Sequence, residues 1–283
     1  MLREPAVAGT FYPANLEDIK IAIEESFLSP LGLGEIPKIA EPYDNKVYPV
    51  NVMVPHAGYI YSGPVASYSY GKLAKIGFPK TFIIICPNHT GIGSSLSIFN
   101  KGKWKTPLGN VDVDEDFADA ILSFSEFGES DLSAHIQEHS IEVQLPFLQY
   151  FSNDFEIVPI NMGLQDLVVA NDLAKSIVKA SNEIGKSYCI IASTDLSHFN
   201  NQEKANRLDK LVLKDIENMD EKKLFNDVTD NQITMCGYGP VITTILTSKL
   251  TGKNQCNILA YNTSGDITGD FSSVVGYGSG IFK

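Results

Sequence analysis

The stretch Val50–Gly63 reads V-N-V-M-V-P-H-A-G-Y-I-Y-S-G. A β-branched run stops at Pro55, a lone imidazole follows, and two glycines bracket two tyrosines. This is how a buried strand delivers one polar side chain into a bare loop, where glycine lets the backbone come close to a ligand. A histidine after a strand is also a common hydrogen-bonded turn residue. The reading therefore depends on whether the chain repeats the arrangement.

It does. Phe82–Cys86 runs into P-N-H-T-G at 87–91, and Tyr188–Ala192 runs into S-T-D-L-S-H-F at 193–199. His56, His89, His198 and Asp195 all fall just past an apolar run, and these are three of only five histidines. In open α/β sheets, ligands bind beyond the carboxyl ends of the strands. His56, His89, Asp195 and His198 are thus expected to converge at one end of a sheet, together with Cys236.

The rest of the chain fits such a sheet. Strand-like runs occupy 47–54, 81–86, 156–162, 188–192 and 257–261. Each of the first four is followed by a helix-like segment: 65–76, 117–124, 167–184 and 205–219. Leu16, Ile19, Ile23 and Phe27 recur at helical spacing after Asn15, a good cap, and predict a helix over 15–28. Residues 95–113 read as an inserted hairpin, and the Pro- and Gly-rich stretch 28–45 as a surface loop. The expected architecture is a three-layer α/β/α sandwich around a largely parallel or mixed sheet, as one domain over 1–283.

Composition narrows the partners. Hydrophobic residues make up 43% and charged residues 20%, with a net charge of −12. Arg3 and Arg207 are the only arginines, so the clustered cations that grip nucleic acid or an anionic membrane are not expected. No apolar run approaches the length of a membrane span, and the first residues lack the pattern of a signal peptide. The chain reads as cytoplasmic, with four free thiols.

Of those thiols, Cys86, Cys189 and Cys256 sit in apolar runs, where burial is expected. Cys236 differs, lying in T-M-C-G-Y-G-P ahead of a helix-like run over 241–250. Bare glycines and a helix N-terminus would favour its thiolate. The last two histidines form H-I-Q-E-H at 135–139, a spacing found in some zinc proteases. Ser140 reads as the cap of a helix starting within two residues of it, which places both histidines before that helix. His139 is then expected to face the cleft and His135 to lie outside it. Patterns for serine hydrolases, nucleotide kinases and nicotinamide enzymes are absent.

Six ordered motifs carry a resemblance. They are V-A-G-T-F-Y-P (7–13), P-H-A-G-Y-I-Y-S-G (55–63), P-N-H-T-G (87–91), E-H-S-I-E-V-Q-L-P-F-L (138–148), S-T-D-L-S-H-F (193–199) and C-G-Y-G-P (236–240). Together they resemble the Memo family, whose fold is similar to that of class III extradiol ring-cleaving dioxygenases. The resemblance implies His56, His89 and Cys236 as metal ligands, with Cys236 where the dioxygenases keep a glutamate. It implies His198 as an acid–base histidine, Asp195 as the group that orients it or a water, and His139 in the pocket. Tyr59, Tyr61, Asn88 and Glu138 would line the substrate pocket.

A thiolate in place of a carboxylate makes the site softer, so ring cleavage does not transfer with the fold. The expected function is a metal-dependent oxidoreductase using iron or copper, acting on a small molecule or peptide. A zinc- or cysteine-dependent hydrolase in the same cleft is the first alternative. A non-catalytic binding module for a peptide or other ligand is the second.

Overall fold

The computed structural model describes residues 1–283. In chain order the first half runs β1 (Leu2–Arg3), α1 (Leu16–Leu28), β2 (Asn51–Val54), α2 (Tyr59–Ile76), β3 (Thr81–Pro87), β4 (Leu96–Ile98), β5 (Lys103–Thr106), β6 (Gly109–Val113), α3 (Glu115–Phe124) and β7 (Gly128–Ser130). The second half runs α4 (Leu145–Phe151), β8 (Glu156–Met162), α5 (Leu167–Ile184), β9 (Tyr188–Ser193), β10 (His198–Asn200), α6 (Gln202–Glu217), α7 (Glu221–Asp230), α8 (Tyr238–Leu250), β11 (Cys256–Thr263), α9 (Ser264–Thr268) and β12 (Val274–Phe282).

The twelve strands form one mixed sheet, nine of them in the order β1-β5-β6-β8-β3-β9-β2-β12-β10, with β11 paired to β12 and β4 joining β8 to β7 off that path. Its centre, β6-β8-β3-β9-β2, is parallel throughout, and β12 closes one side antiparallel to β2. The parallel strands are apolar on both faces, as a sheet covered by helices on both sides requires. Phe82, Ile84 and Cys86 pack with α1, α2 and α4. Ile83 and Ile85, pointing the other way, pack with α3, α5 and α8. The result is the α/β/α sandwich read from the sequence.

Several boundaries move, each for a physical reason. The strand expected over 47–54 starts only at Asn51, because Pro49 cannot donate to a ladder. The helix expected at Val65 starts at Tyr59 and carries Pro64 inside it. Tyr59 N–H donates to Phe11 O at 2.8 Å, so the N-terminal loop satisfies a donor that the helix start leaves open. The hairpin forms from β5 and β6, with Thr106 opposite Gly109.

The sequence reading missed β12 altogether. Its run V-V-G-Y-G-S-G-I-F is glycine-rich, and glycine weakens a strand pattern. Two of those glycines are where α6 presses on the strand. A Cβ at Gly276 would collide with Asp209, and one at Gly278 would crowd Leu213.

Strand order explains how the motifs meet. After β2 and β3, the chain inserts β9 between them. The carboxyl ends of β2, β9 and β3, which lead to His56, Asp195 and His89, therefore lie side by side.

Candidate metal centre

One ring nitrogen each of His56, His89 and His139 lies within 4.8 Å of the other two, a cluster that could bind a metal ion. The His56 and His89 ring centroids are 5.2 Å apart, and those of His89 and His139 are 4.8 Å apart. Each imidazole comes from a different loop, and each loop is pinned.

His56 is buried. Its main-chain N–H donates to Asp195 Oδ1 at 2.8 Å, and its Nδ1 lies 2.9 Å from Ser193 Oγ. Its Nε2 lies 3.2 Å from Cys236 Sγ. Burial, and then the charges of His139 and His89, hold its pKa well below the usual histidine range.

His89 is more exposed and hangs on Glu138. Its N–H donates to Glu138 Oε2 at 2.7 Å, and its Nδ1 lies 3.0 Å from Oε1. Ser140 donates to the same Oε1 through both its hydroxyl (2.6 Å) and its N–H (3.0 Å). Burial works against ionisation of Glu138, but the bonds from His89 and Ser140 outweigh it and hold the carboxyl well below its usual range. Glu138 is thus a buried brace behind His89. Its charge in turn raises the His89 pKa against the opposing effect of burial.

His139 packs against Phe11 with ring centroids 4.7 Å apart and the planes tilted by 60°. Burial depresses its pKa to about 4, so near neutral pH it is an uncharged imidazole with a lone pair to offer. His135 is elsewhere, fully buried between Phe99 and Trp104 with its Nε2 3.1 Å from Ser97 O. The chain between them is a short 3-10 turn at Ser133–His135 followed by irregular backbone, so the two never share a helix face. Ser140 does not cap the following helix. That segment begins as a 3-10 turn at Glu142, and Ser140 serves Glu138 and His89 instead.

Cys236 adjoins the cluster at His56. Asp195 N–H donates to its Sγ at 3.2 Å. Burial, and then the Asp195 charge, push its pKa up. The expected helix-terminus thiolate is therefore overruled: without a metal, Cys236 is a thiol. Burial also pushes Asp195 up, to about 6. His198 Nδ1 lies 2.8 Å from Thr234 O. A carbonyl only accepts, so Nδ1 carries the proton and Nε2 is the free acceptor. It is Thr234, rather than Asp195, that orients His198.

Three of the residues expected to line a pocket have other partners. Tyr59 is buried and donates its hydroxyl to Val143 O at 2.7 Å. It borders a cavity of about 490 Å³ lined also by Thr10, Tyr12, Glu25 and Ile60. The Asn88 amide shapes its own turn, accepting from Thr90 and Gly91 N–H and donating to Ile92 O. Glu138 is the brace already described. Tyr61 is exposed at the surface.

Sequence reasoning assigned no role to Glu142, Gln144 or Ser193, though all three lie within or beside the quoted motifs. Glu142 is fully buried against Arg3 and also accepts from Ala6 N–H, Val7 N–H and the Tyr12 hydroxyl. It ties down the V-A-G-T-F-Y-P loop, which is what places Phe11 against His139. Carboxylate and imidazole counts gave no hint of this, because the partners, two main-chain N–H groups and two side chains, all lie 130 or more positions away.

A family model described as "Memo-like protein" matches residues 3–281. A "MEMO1 family protein" of Methanobrevibacter smithii is 63% identical over 283 residues, covering 100% of both chains. Another, from Methanothermobacter thermautotrophicus, is 44% identical over 277 residues, covering 98% of this chain and 99% of the relative. A third, from Ignicoccus hospitalis, is 46% identical over 278 residues, covering 98% and 97%. Among solved structures, an uncharacterized protein from Escherichia coli K12 aligns with TM-score 0.57 at 9% identity, covering 83% of this chain and 99% of that one. That last likeness is one of fold.

Proposed function

The chain belongs to the Memo family, and on that premise we propose that it is a metal-dependent oxidoreductase working with iron or copper. The observation that carries this reading is the mutual approach of the His56, His89 and His139 ring nitrogens within 4.8 Å. Two of the imidazoles are also braced from behind, His56 by Ser193 and His89 by Glu138, as ligating histidines characteristically are.

His56, His89 and His139 would hold the ion, and Cys236 would add a sulfur donor on the His56 side once its proton has left. Imidazoles with one soft sulfur suit copper, iron and zinc, and the titration below separates them. An iron or copper ion would supply one-electron chemistry. The surrounding residues handle protons. His198 Nε2 is a free acceptor, and Asp195, a carboxyl that burial pushes up in the metal-free protein, would be placed to take or return a proton beside it. Asp195 also holds the His56 main chain and Cys236 Sγ in place. A cysteine nucleophile is disfavoured, because burial pushes the Cys236 thiol the wrong way for attack. No helix is long and apolar enough to cross a membrane.

The test is untagged anaerobic purification, elemental analysis, and anaerobic titration with iron(II), copper(I) and zinc. A redox assay of the loaded protein follows. Tight iron or copper binding with redox cycling supports the reading. Zinc alone with hydrolytic turnover, or no metal at all, overturns it.

A further inference from the structure

Behind His56 runs a buried chain of polar groups whose hydrogen-bond directions can be assigned one after another. Gln144 Nε2 lies 3.0 Å from Pro55 O and 2.8 Å from Ser193 Oγ, and Tyr70 donates its hydroxyl to Gln144 Oε1 at 2.5 Å. The amide can face only this way. Flipped, it would set its oxygen against the Pro55 carbonyl, which has no hydrogen to give. Gln144 therefore donates to Ser193. The Ser193 hydroxyl has a single proton, and it goes to Ser140 O at 2.8 Å. One Ser193 lone pair is left, and it faces His56 Nδ1 at 2.9 Å. Only an N–H fits there. Tyr70, Gln144, Ser193 and His56 are all buried, so each misplaced proton would leave a polar atom without a partner or water.

We infer that Tyr70, Gln144 and Ser193 are positioning residues that fix His56 as its Nδ1–H tautomer, leaving the Nε2 lone pair for the metal. Glu138, as an acceptor, does the same for His89. The two imidazoles are thus set by different devices, a neutral relay for one and a carboxylate for the other. The value of this to the site rests on the metal reading above, while the tautomer itself does not.

The experiment is long-range proton–nitrogen correlation on metal-free, nitrogen-15-labelled protein, paired with anaerobic copper(I) and iron(II) titration. His56 is expected as the Nδ1–H form in the wild type. Ser193→Ala should mix its tautomers and weaken metal binding about 10- to 100-fold, the usual cost of losing a partner behind a ligand. Tyr70→Phe removes one hydroxyl from the far end of the relay and should shift the same nitrogen signals with a smaller loss, leaving His89 unchanged. It decides the matter if Ser193→Ala does not fold. An Nε2–H His56 in the wild type overturns the inference, as does a folded Ser193→Ala variant with wild-type tautomer and affinity. Wild-type protein with Nδ1–H His56 that binds neither metal would support the tautomer assignment while overturning the metal reading.

Discussion

His135 and His139 stand four residues apart in one motif and live in different chemistry. His135 is fully buried, walled by Phe99 and Trp104, with Nε2 spent on Ser97 O. His139 faces the cleft against Phe11, His56 and His89. Burial depresses both to about 4, so the pKa does not distinguish them. Geometry does, because only His139 shares its space with other imidazoles. A depressed histidine marks burial, and it marks a site only where its lone pair meets other donors.

The largest expected effect joins the two regions. Arg3 lies 4.4 Å over the Trp104 ring and donates to His135 O at 3.0 Å, to Glu138 O at 2.7 Å and to Glu142. Arg3→Ala would leave Glu142 as a buried charge without its partner, a loss of about 3–5 kcal/mol. Urea unfolding should show that loss, and metal affinity should fall with it because Glu138 and the Phe11 loop shift together. A variant with unchanged stability would mean the two regions are independent.

Next comes a pH dependence that belongs to His135. Its folded pKa of about 4 lies below the ordinary 6.5, so the unfolded chain takes up a proton first as pH falls. Its stabilising effect is complete above 6.5 and is lost down to about 4. At 1.36 kcal/mol per unit that is roughly 3 kcal/mol. His135→Phe should remove about that share of the slope, the remainder belonging to His56 and His139, which burial also depresses, and should leave metal affinity unchanged. A metal defect in His135→Phe would undo the distinction drawn above.

The converse variant is His139→Ala. As a ligand it should cost at least ~100-fold in iron(II) or copper(I) affinity, more than losing a residue behind the site. Unfolding free energy should move by no more than about 1 kcal/mol, since the side chain is only partly enclosed. Calorimetric titration and urea melts read the two separately.

Much of the fold was legible because strands Thr81–Pro87, Glu156–Met162 and Tyr188–Ser193 are apolar on both faces and end in polar loops. The strand Val274–Phe282 was illegible because its glycines answer to a helix pressing on them, which is a tertiary fact. In the site, the residues at the carboxyl ends of strands could be named from sequence because their position alone implies exposure to a ligand. The groups behind them could not. Ser193 and Gln144 act through hydrogen bonds to groups far along the chain, and nothing in their local pattern records those partners. Pro64 likewise hid the true start of the helix that carries Tyr59, and with it the buried hydrogen bond this cavity-lining tyrosine makes to Val143 O.

The smallest effect concerns Cys236 and sharpens the contrast between a group that burial merely silences and one that burial holds ready. Burial pushes Cys86, Cys189 and Cys236 up, and Cys256 to about 12. Only Cys236 is partly accessible and adjoins an imidazole. A thiol coordinates as thiolate, so each ion bound through Cys236 must release one proton while the free thiol is still protonated. Affinity should then rise up to ~10-fold per pH unit. The window to measure is about pH 8 to 9, where His139, with its pKa of about 4, and Asp195, at about 6, have already lost their protons. His89, which Glu138 holds above the ordinary histidine value, can also release one, so the sulfur's share is the difference in slope between wild type and Cys236→Ser. Cys236→Ser should have the shallower slope, and metal should protect Cys236 from alkylation while the other three thiols stay unlabelled with or without it. Equal slopes in the two proteins, or Cys236 labelling that metal leaves unchanged, would take sulfur out of the centre and leave three imidazoles to hold the ion alone.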